Sequence, residues 1–265
     1  RITRRKLIES GMATEEMIFF LETCIRYGIS MVIAGRTSSG KTTLLNALLG
    51  SIPNDKRIYS IESGARELFL VKRNAYGEVL NNVVHTLSRP SENAAYNITQ
   101  ENLVVAALRF DPDLIAVGEI RDEEANAAVE ASLTGHTVVT TVHSGPAEAA
   151  HGRIALLCQR RFQLGMAVSL SQARQAFPVV VFAHRCEDNS RRVMDISEVS
   201  VTAEGDTEYR CLYRYCITEN VCENDRIKVS GYFEKVNPPS DYLKTLLTRS
   251  GVPQTILDQF QERRN

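Results

Sequence analysis

Gly35-Arg36-Thr37-Ser38-Ser39-Gly40-Lys41-Thr42-Thr43 follows the apolar run Ile29-Ser30-Met31-Val32-Ile33-Ala34 and precedes Leu44-Leu45-Asn46-Ala47-Leu48-Leu49. The order is strand, glycine-bounded loop, helix, and the spacing fits G-x-x-x-x-G-K-[ST], a phosphate-binding loop. In such a loop the N–H groups and the positive end of the following helix hold phosphate oxygens. Lys41 would reach the β- and γ-phosphates, and Thr42 would set its hydroxyl on Mg²⁺. Gly35, Thr37, Ser38, Ser39, Gly40 and Thr43 complete the expected nucleotide-binding set. A motif this short also arises by chance; the strand before it and the helix after it argue for a nucleoside triphosphate ligand.

Outward from this loop, the composition is that of an ordinary globular protein. The chain has 265 residues, 43% hydrophobic and 24% charged, with a formal net charge of −1. That length can bury a large core, as one elaborated domain or two. The near-zero charge gives no global attraction to nucleic acid or anionic membrane, although Arg1, Arg4, Arg5 and Lys6 form a local basic patch. No apolar run approaches the ~18 residues of a membrane-spanning helix, and the first residues lack the apolar segment of a secretory signal. A cytoplasmic protein is expected. The start at Arg1 leads to the expectation that sequence lies upstream. The six cysteines show no C-x-x-C spacing, so free thiols are expected rather than a zinc site.

Along the chain, Thr3 to Ser10 reads as a short basic helix. Thr14 caps a second, with Glu15 and Glu16 in its first turn and Met17, Leu21, Cys24 and Ile25 on one face. Lys56 to Ile61 reads as a strand ending at Glu62; Glu67 to Val71 and Val79 to Leu87 are further extended segments. Thr99 caps a helix stopped by Asp111-Pro112. Leu114 to Val117 and Thr137 to Val142 are short apolar runs of the kind buried in a parallel sheet. An alanine-rich helix, about Asp122 to Leu133, lies between them.

Helices over Ala147 to Cys158 and Gly165 to Ala176 precede a strand at Pro178 to Ala183. Arg192 to Val199 and Tyr209 to Thr218 are expected to pair antiparallel around a turn at Thr202 to Asp206. Two short helices, Ser240 to Thr248 and Gln254 to Glu262, close the chain. Strand alternating with helix gives an α/β fold.

Hydrolysis of a nucleotide needs a group to orient water, a metal site and positive charge near the γ-phosphate. Glu119 sits at the C-terminal end of a buried strand, at the edge where open α/β sheets place their ligands. It would polarise water or hold Mg²⁺ through water, although a carboxylate at a strand end is also a plain solvated group. Glu62 ends another strand and could converge on the same crevice. Arg89 and Arg121 lie in loops near strand ends, where most arginines are simply exposed. His136 and His143 bracket a strand; a lone histidine is more often structural.

Ile61-Glu62, Leu114-Ile115-Ala116-Val117-Gly118-Glu119-Ile120-Arg121-Asp122, Thr134-Gly135-His136 and Thr141-Val142-His143 follow the loop in that order. The set resembles the secretion ATPase superfamily, the motors of type II and type IV secretion and type IV pili, with its Walker A motif, Asp box, Walker B motif and His box. Gly40 to Leu48, Ala106-Ala107-Leu108-Arg109, Asp111-Pro112-Asp113 and Gly231-Tyr232-Phe233 most resemble the Tad/Flp pilus ATPases of the CpaF (TadA) type. The resemblance runs from about Leu7 to Val199.

It implies a RecA-like P-loop NTPase with a twisted, mostly parallel central sheet flanked by helices and a C-terminal antiparallel and helical appendage. Residues 1–28 would be a helical lead-in from an N-terminal domain, 29–200 the ATPase core and 201–265 the appendage. It also implies ATP and Mg²⁺ as cofactors, a homo-hexamer, inner-membrane platform proteins as partners, and a place on the cytoplasmic face of that membrane. Lys41 and Thr42 would serve phosphate and Mg²⁺, Glu119 would be the Walker B glutamate and Glu62 the Asp-box glutamate. His136 and His143 match the His box, Arg121 follows the Walker B glutamate, and Arg89 resembles a phosphate-sensing arginine.

Two departures stand out. Ser38 occupies a position that usually holds glycine, and Ser63 replaces the second acid of the Asp box. A motor subunit is therefore the leading expectation, and a nucleotide-binding assembly component with little turnover is the alternative. A small-metabolite phosphotransferase lacks an arginine-rich lid, and nucleic-acid translocation lacks a basic, aromatic stretch.

Overall fold

The structure is a computed structural model that describes residues 3–161, 164–201, 206–223 and 226–261. Its strands are β1 (Met31–Ala34), β2 (Arg57–Glu62), β3 (Asn82–Leu87), β4 (Leu114–Ile120), β5 (Thr137–Val142), β6 (Val179–Arg185), β7 (Arg191–Val201), β8 (Thr207–Glu223) and β9 (Arg226–Lys235). They form a nine-stranded sheet in the order β3-β2-β4-β5-β1-β6-β7-β8-β9. Pairings from β3 through β6 are parallel; those from β6 through β9 are antiparallel. The strand carrying the phosphate loop thus lies between two parallel neighbours, β5 and β6.

The helices are α1 (Arg4–Glu9), α2 (Glu15–Arg26), α3 (Lys41–Leu49), α4 (Gln100–Ala107), α5 (Glu124–Leu133), α6 (Ala147–Cys158), α7 (Met166–Ala176), α8 (Asp241–Arg249) and α9 (Gln254–Gln261). Because side chains alternate along a strand, the sheet divides the core in two. Met31 and Ile33 of β1 join a cluster with α2, α3, α8 and α9. Val32 and Ala34 join another with α4, α5, α6 and α7. This is the three-layer α/β arrangement expected from the alternating pattern. Thr14 caps α2 through the Met17 N–H, and Thr99 forms a capping box with Asn102 at α4.

Three expectations need correction. Glu67 to Val71 is not a strand: Leu68 and Leu70 are buried, but the backbone bonds to side chains instead of a ladder. The Glu67 and Leu68 N–H groups donate to Glu62, that of Phe69 to Asn46 and that of Lys72 to Asn81. The segment expected from Val79 is a strand only from Asn82, Val79 forming an isolated bridge with Arg73. A third antiparallel strand, β9, was not expected, and it extends the sheet beyond the predicted pair. Most of the turn expected at 202–206, and Glu262 of the last helix, lie outside the described residues.

Candidate nucleotide site

The site lies at the C-terminal ends of β1, β2, β4 and β5. Gly35 is required by close approach: a Cβ there would lie 2.2 Å from the Ala183 carbonyl oxygen and 2.5 Å from Ser39 Oγ. Gly40, at φ 95°, is the residue before α3 and gives no side-chain cap, so the first N–H groups of that helix are left facing outward. Ser39 is buried and its Oγ has no hydrogen-bond partner. Lys41 is buried too, and its ammonium donates to the Arg36 carbonyl at 3.0 Å. Burial lowers its pKa, while the charge of Glu119 opposes that shift.

Glu119 is at the C-terminal end of β4, as expected, with the strand running one residue further to Ile120. The Arg121 guanidinium donates to its Oε2 at 2.5 Å. Nε2 of His143 lies 2.7 Å from its Oε1, close in distance but not aligned as a hydrogen bond, since Oε1 has no hydrogen-bond partner. Burial, and secondarily the charge of Lys41, lowers the His143 pKa, which keeps the ring neutral at neutral pH. Oε1 of Glu124 accepts the N–H groups of Arg121 and Asp122 and fixes the turn after β4.

Glu62 is buried. Its Oε1 accepts the N–H groups of Glu67 (2.7 Å) and Leu68 (2.9 Å), and its Oε2 has no partner. Burial raises its pKa despite those two bonds. Thr42, Glu62, Gly118, Glu119 and Arg121 line one small cavity. A Cβ at position 118 would lie 3.3 Å from Cγ of Glu62, so the glycine before Glu119 leaves room for Glu62.

The structure thus brings together Lys41, Thr42, Glu62, Glu119, Arg121 and His143. It does not bring His136 to them. That residue precedes β5, whereas His143 follows it, and at ~3.3 Å per residue the two ends are about 20 Å apart. Nδ1 of His136 is buried without a partner. Arg89 is engaged in its own loop, its guanidinium donating to the Tyr96 carbonyl and its backbone bridging to Ile98.

A larger cavity of about 640 Å³ opens on the other side of the phosphate loop, lined by Lys6, Met12, Ser38, Lys41, Asn189 and Arg191 among others. The basic patch was legible in the sequence, but not Arg191, which reaches the loop only through the pairing of β6 with β7. Uncapped helix N–H groups, a buried lysine and an unpartnered serine hydroxyl fit a polyphosphate. Among the described residues no cluster of three His, Cys, Asp or Glu side chains is arranged to hold a metal alone. Thr42 with two nearby carboxylates fits a magnesium ion held chiefly by phosphate and water.

The family described as "Type II/IV secretion system protein" matches residues 2–230. The type IV secretion system protein PtlH of Bordetella pertussis is 34% identical over 184 residues, covering 67% of this chain and 52% of that protein. VirB11 of Bartonella henselae is 34% identical over 146 residues, 55% of this chain and 38% of its own length. The chain therefore spans about half the length, or less, of these relatives. Among solved structures, the VirB11 ATPase of the Brucella suis type IV secretion system has a TM-score of 0.56 at 24% identity, covering 74% of this chain and 64% of that one. The pilus retraction motor PilT has a TM-score of 0.51 at 19% identity, covering 97% and 60%. These two show the fold: RecA-like, as expected.

Proposed function

We propose that this chain, which belongs to the type II/IV secretion system protein family, is the ATP-hydrolysing part of a motor subunit. The single observation that carries this reading is the convergence of Lys41, Glu119 and His143 at the uncapped start of α3. Lys41 and the N–H groups of residues 38–43 bind and orient the triphosphate. Thr42 would hold Mg²⁺ directly and Glu119 through water; the ion would supply charge neutralisation at the β- and γ-phosphates. Glu119 orients the attacking water. His143 lies against Glu119 and, with its ring turned so that Nε2 donates, would keep that carboxylate aimed, while Arg121 balances its charge.

The finer reading is a Tad/Flp-type pilus assembly motor that works as a homo-hexamer against inner-membrane platform proteins, on the cytoplasmic side. Residues 1–28 then form the end of a connector from an upstream domain, 29–200 the motor core and 201–265 its appendage. Among the described residues no helix is long and apolar enough to cross a membrane. His136 and Arg89 lie outside this centre and would reach a nucleotide only in a neighbouring subunit of the hexamer.

A second reading, nucleotide binding with little turnover, is favoured by one observation. Oε1 of Glu62 is committed to the Glu67 and Leu68 N–H groups, and Ser63 supplies no second acid. Phosphate release measured against protein concentration, with Lys41→Ala and Glu119→Gln as controls, decides between them. Mg²⁺-dependent release lost in both variants supports the motor. Tight ATP binding with equal, residual release in all three proteins sinks it and supports the second reading.

A further inference from the structure

The hairpin between β6 and β7 ends against the phosphate loop. Its tip is held from within: the Cys186 N–H donates to the Ser190 carbonyl at 2.8 Å, and the Ser190 N–H and hydroxyl donate to Oδ1 of Asp188. Oδ2 of Asp188 accepts the Val229 N–H of β9 at 3.1 Å, so the tip is tied to a second strand. Arg192 donates to the Ser10 carbonyl at 3.2 Å and lies over the Tyr215 ring. The Val193 N–H donates to the Met12 carbonyl at 2.8 Å. The start of β7 is therefore fixed against the turn after α1.

Arg191 projects from this frame. Its Nε donates to the Ser38 carbonyl at 3.0 Å, across 153 residues of sequence. Its Cδ lies 3.1 Å from the place a Cβ on Gly40 would take. Ser38 and Gly40 both have left-handed backbones, at φ 62° and 95°. Glycine adopts that region freely, whereas a serine there is strained and returns to right-handed or extended geometry unless held.

We propose that Arg191 is a positioning residue for the phosphate loop. By holding the Ser38 carbonyl it keeps Ser38 left-handed, with the Ser39 N–H turned to the Arg36 carbonyl, and so leaves the N–H groups of Gly40 and Lys41 open to phosphate. This rests on the nucleotide-binding reading above and adds to it a residue outside the loop motif. The bond uses Nε, a donor attached to the δ-carbon. Lysine has no donor at that position, so the role differs from that of a cation attracted to phosphate.

Equilibrium binding of Mg²⁺-ATP to the whole chain tests this, with melting temperature as a check on folding. Arg191→Ala should weaken affinity about five- to tenfold, the worth of a net backbone hydrogen bond. Arg191→Lys should bind as weakly as Arg191→Ala. Ser38→Gly should bind at least as tightly as wild type, and adding Arg191→Ala to it should cost no more than about twofold, because glycine removes the strain. Without nucleotide, the Ser39 amide, whose N–H donates to the Arg36 carbonyl at 3.3 Å, should exchange faster in Arg191→Ala than in wild type.

Wild-type affinity in Arg191→Ala overturns the inference, as does full rescue by Arg191→Lys or an equal loss in the Ser38→Gly background. Unchanged amide exchange in Arg191→Ala overturns it even where folding is perturbed. Failure of wild type itself to bind Mg²⁺-ATP is a different result: it sinks the proposed function and this inference with it.

Discussion

Oε1 of Glu119 on β4 and Nε2 of His143 after β5 lie 2.7 Å apart, which joins the ends of two neighbouring parallel strands in one polar pair. Neither side chain is bonded through the backbone ladder, so the pair reports on the site rather than on the sheet.

His143→Ala should lower the turnover number about tenfold or more while leaving ATP affinity within about twofold, as expected for a group acting through the water-orienting carboxylate. His136→Ala should change neither by more than about twofold in the isolated chain, since it lies at the other end of β5. Steady-state kinetics on both variants checks this. A larger effect at position 136 would mean that the two histidines are brought together by assembly.

The pH profile gives a second test of His143. Its pKa is lowered from 6.5, first by burial and then by the charge of Lys41. The ring is therefore neutral through pH 7 to 8 and gains its proton only below 6.5. An acid limb of phosphate release due to this residue should have its midpoint below 6.5 and vanish in His143→Gln. A limb centred above 6.5 would contradict a neutral histidine at Glu119.

Glu62 separates structure from chemistry. Glu62→Ala leaves the Glu67 and Leu68 N–H groups without an acceptor and should cost about 2 kcal/mol in urea unfolding. Glu62→Gln keeps a carbonyl oxygen for them and should cost less than about 1 kcal/mol. Amide exchange at Leu68 should rise only in the alanine variant. Phosphate release should fall in both, because both lose the charge facing Thr42 and Glu119.

Gly35→Ala would set a methyl group 2.2 Å from the Ala183 carbonyl oxygen. Such a contact moves backbone rather than a flexible side chain, so the variant should lose about 3 kcal/mol of stability and lose nucleotide binding. Thermal unfolding with and without Mg²⁺-ATP would read both; a stable variant that still binds would show that β6 can shift away.

His151 should make the fold acid-sensitive. It is fully buried, with Nε2 at 2.9 Å from the Phe177 carbonyl and Nδ1 at 3.1 Å from the Tyr209 hydroxyl. A carbonyl only accepts, so Nε2 carries the proton and Nδ1 accepts from tyrosine, leaving a neutral ring. Burial lowers its pKa to about 4. Between that value and 6.5 the unfolded chain binds the extra proton, so stability is full above 6.5 and falls by roughly 3 kcal/mol as pH drops to 4. The slope of unfolding free energy against pH should be shallower in His151→Gln.

Local patterns in the sequence identified most of the α/β fold. Glycine-bounded apolar runs gave β1, β4 and β5, because a strand buried on both faces has no other reason for its composition. Caps at Thr14 and Thr99 marked two helix starts. The extended segment expected around Leu68 misled because side chains of Glu62, Asn46 and Asn81 satisfy that backbone, and such partners are invisible to periodicity. Lys41, Glu119 and His143 were legible as motif members. The displacement of His136 needed the direction of β5 relative to β1, and the approach of Arg191 to Ser38 needed a pairing across most of the chain. Position in a motif thus marks the candidate residues, and only the register of the sheet decides which of them meet.

The division of the core into two sides has a mechanical consequence. α3, which starts at Lys41, is anchored in one oily layer through Leu44, Leu45 and Leu48. α5 and α6, which flank Glu119 and His143 in sequence, are anchored in the other through Ala128, Ala150 and Ile154. On the proposed function, a bound triphosphate would bridge these two layers at the rim like a rivet through the sheet, and cutting its terminal bond would remove that link.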